Sequence, residues 1–381
     1  MEVIGVQQET STTPASVKDI IAKVKRKRKR EETEQRRSQK KRANARFYKL
    51  DSILGNKCMY YIIIGGRKTG KSYSLAKFFC THQNDVNYWL RISERSTRAM
   101  TADNCRGMID KDLQEKYGLN LSCKSGMYVY NGDKDFCTVA PLSAFGKLKG
   151  VGFYDKNYKG WYNIVLDEFQ LEQGEKRTSF DILDNFMGML ENTIRTEKQK
   201  VRIFLLGNTL EEASTILKAF NFLPETFGRF YIHQKDKETG ERKLVAVLDN
   251  IEPTKEYLLD RYGSATDILG GGAMSNYTNE LSKDRKLITK ERRHHLNGII
   301  KFFRDKNSWF CYWDNGIITR YKDQPSKMEN DICMRPHLNS YFSTENKQII
   351  IDMYDVRALK FDSLITQAYF EDYMKALRTS K

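Results

Sequence analysis

No stretch of this 381-residue chain stays apolar for the length of a membrane span, and the N-terminus has no secretory apolar region. We therefore expect neither a transmembrane helix nor an exported protein, but an intracellular one. The seven cysteines, at 58, 80, 105, 123, 137, 311 and 333, include no Cys-x-x-Cys pair and are odd in number. That argues against a disulfide framework or a zinc site and for reduced thiols. No internal repeat is found, which excludes a solenoid. What is present is an apolar fraction of 40% with 12% aromatics, enough chain for two domains and a full core.

The formal net charge of +16 is unevenly spread. Residues 18–46 carry fourteen Lys/Arg against four Asp/Glu, a net +10, while residues 1–17 contribute −2 and the rest of the chain +8. Residues 1–46 thus read as a basic, disordered arm with two clusters, Lys25-Arg-Lys-Arg-Lys-Arg30 and Arg36 to Arg42. A solvated tail, a nuclear-localisation-like run and a nucleic-acid-binding arm all fit that pattern. A basic chain of this kind points to a polyanionic partner, and nucleic acid is the commonest.

The organising stretch is Met59-Tyr-Tyr-Ile-Ile-Ile-Gly-Gly-Arg-Lys-Thr-Gly-Lys-Ser72. An apolar strand runs into Gly65, Gly66, Arg67, Lys68, Thr69, Gly70, Lys71 and Ser72, and an amphipathic helix with Leu75, Phe78 and Phe79 follows. Glycines at such a turn let consecutive backbone N–H groups converge on phosphates at a helix N-terminus. On this reading the loop binds ATP, Lys71 reaches the β- and γ-phosphates, and Ser72 ligates Mg²⁺. Upstream, Phe47 and Tyr48 lie where aromatics would meet either the adenine ring or the core.

The second half of such a site is Tyr162-Asn-Ile-Val-Leu-Asp167-Glu168-Phe169. A buried strand delivers two adjacent carboxylates, Asp167 for the metal and Glu168 to orient and deprotonate water. Asn87 to Ile92 reads as another strand, with Arg91 and Arg95 at its carboxyl end as candidates for phosphate or DNA contact, or for plain ion pairing. Val201 to Leu206 reads as a strand ending in Gly207-Asn208, where Asn208 either senses the γ-phosphate or merely turns the chain. Periodicity predicts a helix from Thr178 to about Lys198, closing near Arg195, a position where the helix dipole already favours a cation. Hairpins are predicted around Asn131-Gly132 and Thr239-Gly240.

A composition shift at 251–275, with Gly270-Gly-Gly272, marks a linker between a domain at 47–250 and one at 276–381. The latter reads as a meander of strands near 298–303, 309–313 and 317–321, a further strand at Gln348 to Asp352, and a closing helix from Val356 to Leu377.

The series Gly65 to Ser72, Pro141-Leu-Ser143, Ile164 to Phe169, Thr193-Ile-Arg195 and Leu206-Gly-Asn208 resembles the DNA encapsidation ATPases of small tailed phages with protein-primed replication. The resemblance covers residues 47–235 in order and is fainter beyond. It implies an α/β phosphate-loop NTPase sheet of the ASCE, RecA-like type with helices on both faces, followed by a smaller α+β domain like a degenerate RNase H-like nuclease; that domain shows no clustered acidic set to hold two metals, so no DNA cleavage is expected. It further implies a homo-oligomeric ring of five subunits on the portal of a procapsid in the host cytoplasm, driving double-stranded DNA inward, and a packaging RNA as a further candidate partner. Family roles fall on Lys71, Ser72, Asp167 and Glu168, on Arg195 as a finger reaching a neighbour's nucleotide, and on Lys149 at a subunit interface. The long basic arm departs from the family pattern. Other classes sharing the nucleotide site are a helicase or partition-type motor, a terminase with an active nuclease, and a non-enzymatic nucleotide-binding assembly factor.

Overall fold

The computed structural model describes residues 47–147, 158–169, 181–194, 200–208, 215–236, 239–254, 287–302, 309–321, 331–334 and 344–379. The basic arm, the glycine-rich linker, Lys149 and Arg195 lie outside these residues.

The strands predicted around the glycine loop are all present, together with one more, β3. They are β1 (Tyr60–Ile64), β2 (Val86–Arg91), β3 (Leu121–Lys124), β4 (Tyr128–Asn131), β5 (Lys134–Pro141), β6 (Trp161–Asp167), β7 (Lys200–Gly207), β8 (Gly228–Lys235) and β9 (Arg242–Asn250). They form one nine-stranded sheet in the order β3-β4-β5-β2-β6-β7-β1-β9-β8. The six strands from β5 to β9 in that order are mutually parallel. β3 and β4 extend one edge as antiparallel strands, and β8 extends the other. β3 was not read from the sequence. The β4–β5 turn uses Gly132 at φ 60°, the left-handed conformation that Asn-Gly favours.

Parallel central strands are buried on both faces, so they are apolar at every position rather than at alternate ones. β1 shows this directly. Tyr61 and Ile63 enter one core, with Leu75 and Phe79 of α2 (Lys71–Thr81), Met100 of α3 (Glu94–Cys105) and Leu113 of α4 (Lys111–Tyr117). Ile62 and Ile64 enter the other, with Phe186, Met189 and Leu190 of α5 (Ile182–Thr193) and Ile216 and Leu217 of α6 (Thr215–Ala219). A four-residue helix, α1 (Asp51–Leu54), precedes β1. α5 starts four residues later than the periodicity suggests because Asp181 caps it, accepting from the N–H groups of Leu183 and Asp184.

A second sheet, ordered β13-β10-β11-β12-β14, is built from β10 (Leu296–Phe302), β11 (Trp309–Trp313), β12 (Ile317–Tyr321), β13 (Asp331–Met334) and β14 (Lys360–Phe361). β10, β11 and β12 form the expected antiparallel meander. β13 and β14 join its edges in parallel. Ile300, Phe310, Ile318, Ile350, Phe361, Phe370 and Met374 make a separate core.

Two expectations fail here. Gln348 to Asp352 is not a strand but lies within helix α7 (Thr344–Asp355). Its Ile349-Ile350-Ile351 run is too short for periodicity to separate strand from helix. Helical geometry buries Ile350 completely while leaving Ile349 44% exposed. The closing helix, α8 (Leu364–Thr379), begins eight residues later than expected, because Lys360–Phe361 is drawn into the sheet beside β12 and Val356 stays 74% exposed.

Candidate functional site

Because β1, β6 and β7 run parallel, their carboxyl ends reach the same edge of the sheet. Ligands of open α/β sheets bind at that edge. β7 lies between β1 and β6, so Asn208, just past its end and half-buried, stands between the glycine loop and the acidic pair.

The loop is built by close approach. A side chain at Gly65 would place Cβ 2.8 Å from Cβ of Ile251, and Gly70 adopts φ +87° with Phe47 packed against it. Both positions therefore need glycine. Thr69 is buried and donates its hydroxyl to the Gly66 carbonyl at 2.8 Å. Lys71 opens α2 and is 5% exposed, with Nζ donating to the carbonyls of Gly65 at 2.6 Å and Gly66 at 2.9 Å. Burial lowers its pKa to about 8, while Asp167 and Glu168 act to raise it. Arg67, Lys68 and Ser72 are exposed.

Asp167 ends β6 almost fully buried. Its carboxylate accepts from Trp89 Nε1 at 3.3 Å and pairs with Arg91 Nη2 at 2.9 Å. Burial raises its pKa, and Arg91 is the chief opposing influence. Glu168 takes the left-handed conformation at φ +57°. The chain turns there, so that Phe169 can bury its ring and donate its N–H to the Leu206 carbonyl at 3.2 Å. The half-exposed Glu168 carboxylate pairs with Nη1 of the same Arg91. One guanidinium thus holds both carboxylates, and its buried Nε has no hydrogen-bond partner among the described residues. Sequence reasoning named Arg91 as a candidate phosphate or DNA contact or as a plain ion-pairing residue, and the ion pair is what the structure shows, though its partners were not named. Its place at the end of the strand beside the acidic one was the available signal for an acidic partner. Arg95 is exposed on α3.

The entering segment lies on the loop. Tyr48 donates its N–H to the Thr69 carbonyl at 2.8 Å, and Ser74 of α2 donates its hydroxyl to the Tyr48 carbonyl at 2.5 Å. The Tyr48 hydroxyl donates to Asp249 Oδ2 at 3.0 Å. Asp249 also takes a two-pronged ion pair from Arg229, which in turn reaches Ser52.

No protein-family model matches the chain, and no curated protein matches it. Solved structures do. A chain of the bacteriophage Phi-29 viral genome packaging motor assembly superposes with a TM-score of 0.58 over 87% of this chain and 100% of its own length, at 16% identity. This chain has the fold of a phage packaging motor. The Phi-28 gp11 DNA packaging motor superposes with a TM-score of 0.53, again over 87% of this chain and 98% of its own, at 14% identity. The packaging-motor fold therefore extends over most of the chain, beyond the part that carries the glycine loop and the acidic pair.

Proposed function

We propose that this chain is the ATP-hydrolysing subunit of a ring motor that drives double-stranded DNA through a portal into a preformed capsid. The observation that carries this reading is the meeting of Lys71 and Ser72 with Asp167 and Glu168 at one sheet edge, with Asn208 between them, in a chain of packaging-motor fold. The order β9-β1-β7-β6-β2, with one strand between the loop strand and the acidic strand, supports an ASCE, RecA-like NTPase core. In the second sheet, the meander with β13 parallel to β10 supports an RNase H-like ancestry. β10 carries Asn297 and Lys301 but no carboxylate, and we assign it no DNA cleavage.

The donors fit a magnesium nucleotide. The exposed Ser72 hydroxyl and the Asp167 carboxylate are hard oxygen ligands, and the carboxylate is already held in a cationic environment by Arg91. Magnesium bound there supplies positive charge to the phosphate oxygens. Lys71 exchanges the carbonyls of Gly65 and Gly66 for phosphate oxygens, and Asn208 orients the terminal phosphate or the attacking water. Glu168, released by Arg91, accepts the proton of that water. Arg195 serves a neighbour's nucleotide and Lys149 the subunit interface, within a homo-oligomeric ring of five subunits. The ring works in the host cytoplasm on the portal of the procapsid, with a packaging RNA as an additional component.

The deciding experiment measures ATP turnover with procapsids and double-stranded DNA, separately and together. Turnover raised most by the combination, with DNA becoming nuclease-protected inside capsids, is the expected result. Strand separation in capsid-free solution would instead identify a helicase, and nucleotide binding without turnover in any condition would identify an assembly factor.

A further inference from the structure

Because β1, β6, β7 and β9 run parallel, their amino ends share the sheet edge opposite the glycine loop. That edge holds a cavity of about 830 Å³, within the range of sites for drug-sized ligands. Tyr60 of β1, Trp161 of β6, Phe186 of α5 and Phe220 just past α6 give it aromatic walls. Phe186 is buried, whereas Met59 and Met187, which also line the cavity, are 44% and 47% exposed, so the cavity runs from the core out to solvent. Methionine at such a mouth adapts to guests of irregular shape.

The charge in this lining is of one sign. Lys57, Arg202 and Lys243 contribute to it, and among the described residues no aspartate or glutamate does. Arg202 is already engaged, lying over the Trp161 ring at 3.8 Å with Asp85 3.8 Å away. Lys57 and Lys243 are exposed and make no ion pair. A single unpaired surface lysine means little. Two of them at an apolar cavity that lacks acids set the chemistry of a guest, whose apolar body gains by entering while its negative head stays hydrated among the lysines.

We propose that this cavity binds an amphiphilic monoanion, an aliphatic or aryl-alkyl carboxylate, with its body against Tyr60, Trp161 and Phe186 and its head met by Lys57 and Lys243. The site stands apart from the glycine loop and does not rest on the nucleotide reading.

The test is calorimetric titration of the full chain with decanoate, decanol and decyltrimethylammonium, each below the concentration at which it aggregates. Decanoate should bind at one site, more tightly than decanol, and decyltrimethylammonium should not compete. Lys57→Gln combined with Lys243→Gln should weaken decanoate by roughly 3- to 20-fold and leave decanol within about twofold. Met187→Glu, which puts a negative charge at the mouth, should weaken decanoate more than decanol, and unchanged thermal unfolding of both variants shows that the fold is intact. Equal binding of all three amphiphiles would reduce the cavity to a non-selective apolar surface, and decanoate affinity unchanged in both variants would place the ligand elsewhere; either result, or no binding at all, overturns the proposal. Tighter binding of a leucine- and glutamate-rich peptide than of decanoate, lost in the same variants, would overturn it in favour of a protein-docking site.

Discussion

At the scale of single residues, the acidic half of the site is governed by Arg91. One guanidinium pairs with a nearly fully buried Asp167 and a half-exposed Glu168, opposing the burial that raises the Asp167 pKa. Breaking a buried pair by removing one partner costs about 3–5 kcal/mol. Here the cost is smaller, since Glu168 can turn to solvent. Arg91→Ala should therefore lower unfolding stability by about 2 kcal/mol in the absence of nucleotide, and the deficit measured by thermal unfolding should shrink when magnesium nucleotide is added. A deficit unaffected by nucleotide would show that Arg91 serves only packing. Glu168→Gln keeps the side chain's shape and loses the base, so turnover should fall on the order of 10²- to 10⁴-fold while nucleotide binding persists. Rapid turnover in that variant would take Glu168 out of the mechanism.

At the scale of elements, the segment before β1 is held by contacts from β9, the strand beside β1, and from the edge strand β8. Arg229 of β8 and Asp249 of β9 are 8% and 5% exposed, and Tyr48 and Ser52 hang from them. Asp249→Ala leaves a buried guanidinium unpaired and should destabilise by roughly 3–5 kcal/mol. Removing both charges with Arg229→Met and Asp249→Ala together should cost less than Asp249→Ala alone. A double variant as unstable as the sum of the singles would mean that the pair acts through separate contacts. None of this staple was legible in the sequence, because its members stand up to 201 positions apart. The hairpins at Asn131-Gly132 and Thr239-Gly240 were legible, since turn chemistry is local. The segment from 344 to 361 was misread for the converse reason. Its three isoleucines suit strand or helix equally, and the choice fell to what covers β12.

At the scale of the whole molecule, the two sheets meet through α6 and α8. Lys218 pairs with Asp372, the Tyr369 hydroxyl donates to the Lys218 carbonyl at 3.0 Å, and Arg320 of β12 stacks 3.7 Å from the Tyr369 ring while bonding Asn221. α6 follows β7 in the chain, so the tip holding Asn208 and the second sheet are joined by a short path. In a ring, an arginine finger contributes on the order of 10³–10⁵ in rate. Arg195→Ala should accordingly abolish turnover and leave ATP binding within a few-fold, and hydrolysis surviving that change would end the finger assignment. On the reading in which the basic arm holds nucleic acid, its fourteen cations would act by releasing counterions. Deleting residues 1–46 should weaken DNA binding at low salt more than at high salt. An unchanged salt slope would leave the arm a solvated tail.

The chain's own order of residues determined the loop, the acidic strand end and the strands between them, because each is a short pattern whose spacing and apolar period are set by neighbouring positions. Folding alone decided that Arg91 turns to Asp167 and Glu168, that Tyr48 reaches Asp249, and that residues 344–355 are helical. Those outcomes depend on which distant side chains arrive at the same place, and burial and charge compensation there exceed any local preference.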